Sequence, residues 1–96
     1  MTSGGNLQER RSLKYIRLAA YLAKQPPEIE LVTMTFPELE DILGETLPDT
    51  ARFPSWWRND PRKMHSRAWL TAGWEVKGIV EQDERVVFVR LPERDI

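Results

Sequence analysis

Between Arg52 and Arg67 the chain gathers side chains suited to one kind of chemistry, the recognition of a phosphate-bearing polymer. Arg52, Arg58, Lys63 and Arg67 supply cations, with the His65 imidazole among them. A guanidinium pairs bidentately with a guanine edge or a phosphate, and the Asn59 carboxamide matches the edge of adenine. The hydroxyls of Ser55 and Ser66 suit phosphate oxygens. The only acid in the run is Asp60. The wider stretch from Pro48 to Trp74 also holds all four tryptophans, Trp56, Trp57, Trp69 and Trp74. Aromatics of this size dominate the core of a small domain, so the basic run lies among residues that must be buried. The structural alternative is that the Arg and Lys stems merely cover aromatic surface while their heads stay wet.

Other chemistries fare worse. His65 is the sole histidine, and with Ser55 or Ser66 and Asp60 it makes a nominal Ser/His/Asp set. Such sets are defined by geometry and not by nearness in sequence. A lone histidine beside Lys63 and Arg67 reads better as a surface or phosphate-contacting group, so no catalytic residue and no enzyme are expected. Glu38/Asp41 and Glu40/Asp41 lack a third convergent ligand, so neither metal nor cofactor is expected. The chain has no cysteine, which removes thiolate zinc sites and cysteine nucleophiles. Gly4-Gly5 lies in a polar tail, and no glycine-rich phosphate loop is present.

Ninety-six residues suffice for one modest core. The net charge of −1 argues against a general nucleic-acid coat, but the charges are segregated. Arg10, Arg11, Lys14, Arg17 and Lys24 occur with no acid between them, and residues 25–51 then carry acids only. A local basic patch outweighs net charge for a bound anion, because screening acts beyond about 8 Å. The blocks could instead pair with each other. No apolar run has the length of a membrane span, and the first residues lack a signal-peptide core, so a cytoplasmic protein is expected.

These side chains need elements to position them. Tyr15, Leu18, Ala19 and Leu22 recur at helical spacing after Ser12, and Pro26-Pro27 end that helix. Glu28-Ile29-Glu30-Leu31 alternates as a short strand. Thr35 and Glu38 form a capping box, with Pro37 in the first turn, Leu39, Ile42 and Leu43 on the buried face, and Gly44 as the stop. This helix is acidic, so it supports a DNA-facing element and does not itself approach phosphate. Pro48 starts a second short helix through about Arg52, giving helix-turn-helix spacing. Asp60-Pro61 restarts the chain into a helix over 62–72, closed by Gly73. Trp74–Lys77 and Val86–Val89 form a hairpin about the polar turn 81–84. Trp69, Trp74, Leu39, Ile42, Leu43, Leu18, Leu22 and Phe88 make up the expected core. Neighbours Trp56 and Trp57 point apart, so one is core and the other is free to stack on a base or anchor a protein.

Several runs carry a resemblance. They are Met34-Thr35-Phe36-Pro37-Glu38-Leu39-Glu40-Asp41-Ile42-Leu43-Gly44, Leu47-Pro48-Asp49-Thr50-Ala51, Trp56-Trp57-Arg58-Asn59, Ala68-Trp69, Ala72-Gly73-Trp74-Glu75-Val76 and Val87-Phe88-Val89-Arg90. Over about residues 13–91 the chain resembles a family of small, poorly characterised prokaryotic domains, some attached to nuclease or restriction-type modules. Leu39 and Thr50 depart mildly from its pattern. The resemblance implies DNA recognition and brings no catalytic residue.

The expected fold is therefore α+β: a flexible tail over 1–9, then a single winged-helix-like domain over 10–96. It would have a helix-turn-helix core and a C-terminal antiparallel β-hairpin. The expected role is a small regulator binding duplex DNA through segment 48–67. Its contacts would be Arg52, Ser55, Arg58, Asn59, Lys63, His65, Ser66 and Arg67. The alternative is a protein-interaction module docking a partner, or a second copy, through Trp56/Trp57 without nucleic acid. No membrane partner is expected.

Overall fold

The computed structural model describes residues 6–92, with side chains from Tyr15 onward except Glu81. Helix α1 runs Asn6–Ala23 and strand β1 Leu31–Thr35, followed at once by helix α2, Phe36–Leu43. Single 3-10 turns follow at Asp49–Arg52 and Pro54–Trp57, then helix α3, Met64–Thr71. Strands β2, Trp74–Val80, and β3, Arg85–Arg90, close the chain. The sheet is antiparallel in the order β1-β3-β2. Three helices and a three-stranded antiparallel sheet thus form a small α+β domain, with β2 and β3 joined as a hairpin.

The sequence signals explain most of these elements. Thr35 caps α2 as expected: its Oγ1 accepts from the Glu38 amide, and Glu38 Oε1 accepts from the Thr35 amide. Gly44 ends α2 in the left-handed region at φ +84, where glycine carries no Cβ penalty. The β2–β3 hairpin falls where alternation placed it. α1 starts at Asn6, earlier than the cap at Ser12 would have it, because Leu7–Arg11 contains neither Gly nor Pro to oppose a helix. Residues 1–5 of the expected tail lie outside the described residues.

Two expectations need correction. The strand begins at Leu31 and not at Glu28, because Pro26 closes a turn by accepting the Ile29 amide at 2.9 Å. The β-branched and apolar run Leu31–Thr35 then pairs along β3, from Leu31 opposite Val89 to Thr35 opposite Arg85. The second short helix is also absent. Residues 49–52 and 54–57 form one 3-10 turn each, and Phe53 between them is extended at φ −99, ψ 137. Pro54 forces this, since the residue before a proline is driven out of the helical region. The next helix after α2 is therefore α3, which begins only at Met64 and packs against α1 and β2.

One sheet face and three helices enclose the core. Met34, Val86, Phe88, Trp74 and Val76 come from the strands. Leu18 and Leu22 come from α1, Leu39 and Leu43 from α2, and Trp69 from α3. Of the expected core only Ile42 stays partly exposed. Trp57 is buried and Trp56 half-buried, so Trp57 is the core member of the pair. Each buried indole N–H has a partner: Trp57 donates to the Ala51 carbonyl, Trp69 to Asn59 Oδ1, and Trp74 to the Leu22 carbonyl. Arg90 lies over the Trp74 ring at 4.5 Å and donates to the carbonyls of Pro26 and Ile29, joining the end of β3 to the turn after α1.

Candidate nucleic-acid interface

The segment between α2 and α3 has little regular structure of its own, so side chains must hold it in place. Asn59 does this for its C-terminal half. Its Oδ1 accepts from Trp69 Nε1 and from the Val76 amide, both at 2.8 Å, and its Nδ2 donates to the Val76 carbonyl at 3.0 Å. β2 is an edge strand, and a carboxamide carries the same donor and acceptor as a peptide group. Asn59 thus pairs with that edge as a neighbouring strand would.

Ser66, fully buried, donates to the Arg58 carbonyl at 2.6 Å. His65 stacks on Trp56 with ring centroids 3.9 Å apart and planes 3° from parallel. Its Nε2 lies 2.8 Å from the Trp56 carbonyl. A carbonyl only accepts, so Nε2 carries the hydrogen, and the lone pair of the neutral ring is on Nδ1. Burial pushes the imidazole below its ordinary 6.5, against the opposing pull of that carbonyl.

These bonds sort the eight expected contacts. Asn59, though exposed, has its carbonyl oxygen and one amide hydrogen bonded within the fold, Ser66 is buried with its hydroxyl bonded, and His65 is half-buried with its neutral form favoured. Arg52, Ser55, Arg58, Lys63 and Arg67 are exposed. The nominal catalytic set does not assemble, since His65, Ser66 and Asp60 each bond to a different partner. Among the described residues no three His, Cys, Asp or Glu side chains converge on a metal position.

The structure brings Ser55, Arg58, Lys63, His65 and Ser66 to one pocket of about 360 Å³. Arg52 and Asn59 lie outside its lining. Arg67 borders a shallower groove between α1 and α3, beside Tyr15 and Met64. Sequence reasoning missed two pocket residues, Thr50 and Phe53. Phe53 is 61% exposed, and Pro54, which fixes its extended backbone, was the available signal. Asp60 is the pocket's one acid, and Arg62 grips it through both carboxylate oxygens, at 3.0 and 3.1 Å. The Arg62 side chain, with help from its own amide, lowers the Asp60 pKa to about 2. The pair is neutral in sum, which leaves Arg58 and Lys63 to set the sign of the pocket.

Lys63 also occupies the N-cap of α3, with extended backbone and no side-chain cap. Lysine lacks the oxygen that normally satisfies the first amides of a helix. Its carbonyl accepts the Arg67 amide, so Lys63 and Arg67 stand one turn apart. Arg58, Lys63 and Arg67 make no ion pair with any described residue.

No described helix is long and apolar enough to cross a membrane. A family model described as a domain of unknown function (DUF7662) matches residues 15–92, which includes every element from the last turns of α1 onward. No curated protein and no solved structure matches the chain.

Proposed function

We propose that this chain, which belongs to the DUF7662 family, binds duplex DNA through a face carrying Arg58, Lys63 and Arg67. The observation that carries the reading is the entry to α3. In a winged helix this helix stands where a helix-turn-helix presents its second helix to the major groove. Here that entry has an uncapped N-terminus, Lys63 and Arg67 one turn apart, and Arg58 lining the same pocket as Lys63. Helix amides and unpaired cations together suit a phosphate backbone. Arg58 is the side chain suited to reading a guanine edge. The β2–β3 hairpin contributes less, because Asp83 and Glu84 at its tip are exposed acids.

The exposure of Phe53 beside Trp56 favours a second reading, in which this aromatic pair anchors a protein partner. Fluorescence anisotropy with a labelled random duplex pool at 50–200 mM salt separates the two. DNA binding should weaken steeply with salt, by about 0.9 in log–log slope per phosphate neutralised. Lys63→Ala should lower that slope by about one phosphate for every sequence, while Arg58→Ala should cost about 1–3 kcal/mol and relax preference at one base pair. A parent with no duplex binding at low salt would overturn the proposal. Folded variants that bind like the parent would move the face elsewhere.

A further inference from the structure

The pocket itself carries a sharper assignment, which rests on the DNA reading above. We infer that it receives one nucleobase displaced from the stack, with the adjoining phosphate held by Lys63. Its volume, about 360 Å³, lies at the small end of the roughly 300–1,000 Å³ range of small-molecule sites, so it suits a single residue of a polymer and not an extended groove-filler. Its apolar lining is aromatic: the exposed Phe53, and Trp56, already in a parallel stack with His65. A planar base gains from such surfaces whatever its identity, because every base has a π-face. The hydroxyls of Thr50 and Ser55 border the same space, and neither has a hydrogen-bond partner among the described residues. They can serve the polar edge of the base.

The electrostatics fit an anionic occupant. Arg62 neutralises Asp60, and the two remaining charges in the lining are positive. The neutral His65 costs its stacked position no desolvated charge. The exposure of Phe53 is what a duplex-bound protein needs to fill a gap or hold an opened step, as apolar wedges do between bases. The backbone holds that ring out: Pro54 keeps Phe53 extended, and the 3-10 turns on either side fix its ends.

The test uses the full chain and three labelled probes of one sequence: a fully paired duplex, the same duplex with a single-nucleotide bulge, and the single strand. Unlabelled thymidine 5′-monophosphate is added as a competitor. The bulged duplex should bind more tightly than the paired one, with quenching of tryptophan fluorescence. Phe53→Ala should collapse that ratio, by a factor on the order of 5- to 150-fold if one base stack is lost. Most of the Phe53 ring already faces solvent, so this variant should fold, and an unchanged melting temperature verifies that. Equal affinity for paired and bulged duplexes, unaffected by Phe53→Ala, overturns the pocket assignment while leaving DNA binding in place. Competition by thymidine 5′-monophosphate at concentrations matching the bulged-duplex affinity makes this a free-nucleotide site and also overturns it. Failure to bind any of the three DNA probes overturns both readings.

Discussion

Asn59→Ala removes a side chain that a DNA-contact reading would place at the interface, yet its first effect should be on folding. Three hydrogen bonds go at once, two to the edge of β2 at Val76 and one to the indole of Trp69. Each contributes about 1 kcal/mol net, and a buried donor left unpaired costs about 1–3 kcal/mol. Trp69 is wholly buried, so its N–H bears the full penalty, whereas Asn59 is exposed and water can reach Val76 more easily. The loss should therefore be about 2–4 kcal/mol, a large share of the roughly 5–15 kcal/mol of a small domain. For a chain of this size that lowers the melting temperature by about 8–30 °C. Urea unfolding followed by tryptophan fluorescence measures it directly. Asn59→Asp adds a control: it keeps the acceptor and loses the donor, setting a carboxylate oxygen against the Val76 carbonyl. A loss below about 0.5 kcal/mol in Asn59→Ala, within the range of ordinary surface changes, would show that the clamp is dispensable. If DNA affinity fell in the same variant, Asn59 would return to the interface.

Trp69→Ala empties the centre of the core and removes one of the two donors to the Asn59 carbonyl, so it should cost about 3–5 kcal/mol; an unchanged melting temperature refutes it. Gly44→Ala should cost about 1–2 kcal/mol from the left-handed backbone. Its new Cβ would also meet the Arg17 guanidinium at 2.7 Å, although that flexible end can move. A thermal melt unchanged by Gly44→Ala would count against the strain. His65 should titrate below 6.5 by NMR, because burial disfavours its charged form. In the window between that lowered value and 6.5 the unfolded chain binds the proton that the native chain refuses, so stability falls as pH falls through it. A native value above 6.5 reverses the sign, and one equal to it removes the dependence.

Local signals carried most of the fold. The Thr35–Glu38 box, the Gly44 stop and the alternation of β2 and β3 are decided by residues within a turn or a strand of one another. The segment 44–63 is less legible, because Pro48 and Pro54 compete with weak helical preference and each leaves only one 3-10 turn. At the candidate site, residue type pointed to cations and exposure agreed for Arg58, Lys63 and Arg67. The roles of Asn59 and Ser66 were hidden for a different reason. Their partners lie 17 and 8 residues away, and only the folded chain brings them within reach. The exposure of Phe53 is legible only in part: Pro54 signals the extended backbone, but nothing local states that the ring faces solvent.

The sheet order has a consequence for how the protein is made. β3 is the middle strand yet the last of the three to be synthesised, and neither β1 nor β2 touches the other in the sheet. At about 5–20 residues per second on the ribosome, β1 waits seconds for its partner. A hairpin closes in about 1–10 μs, so β2 and β3 can join as soon as both are free. Through that wait the nascent chain carries the unpaired edge of β1 and the uncovered indoles of Trp69 and Trp74, both hazards for association with other chains. A ribosome stalled before Arg85 leaves two strands, not one, without a place to go.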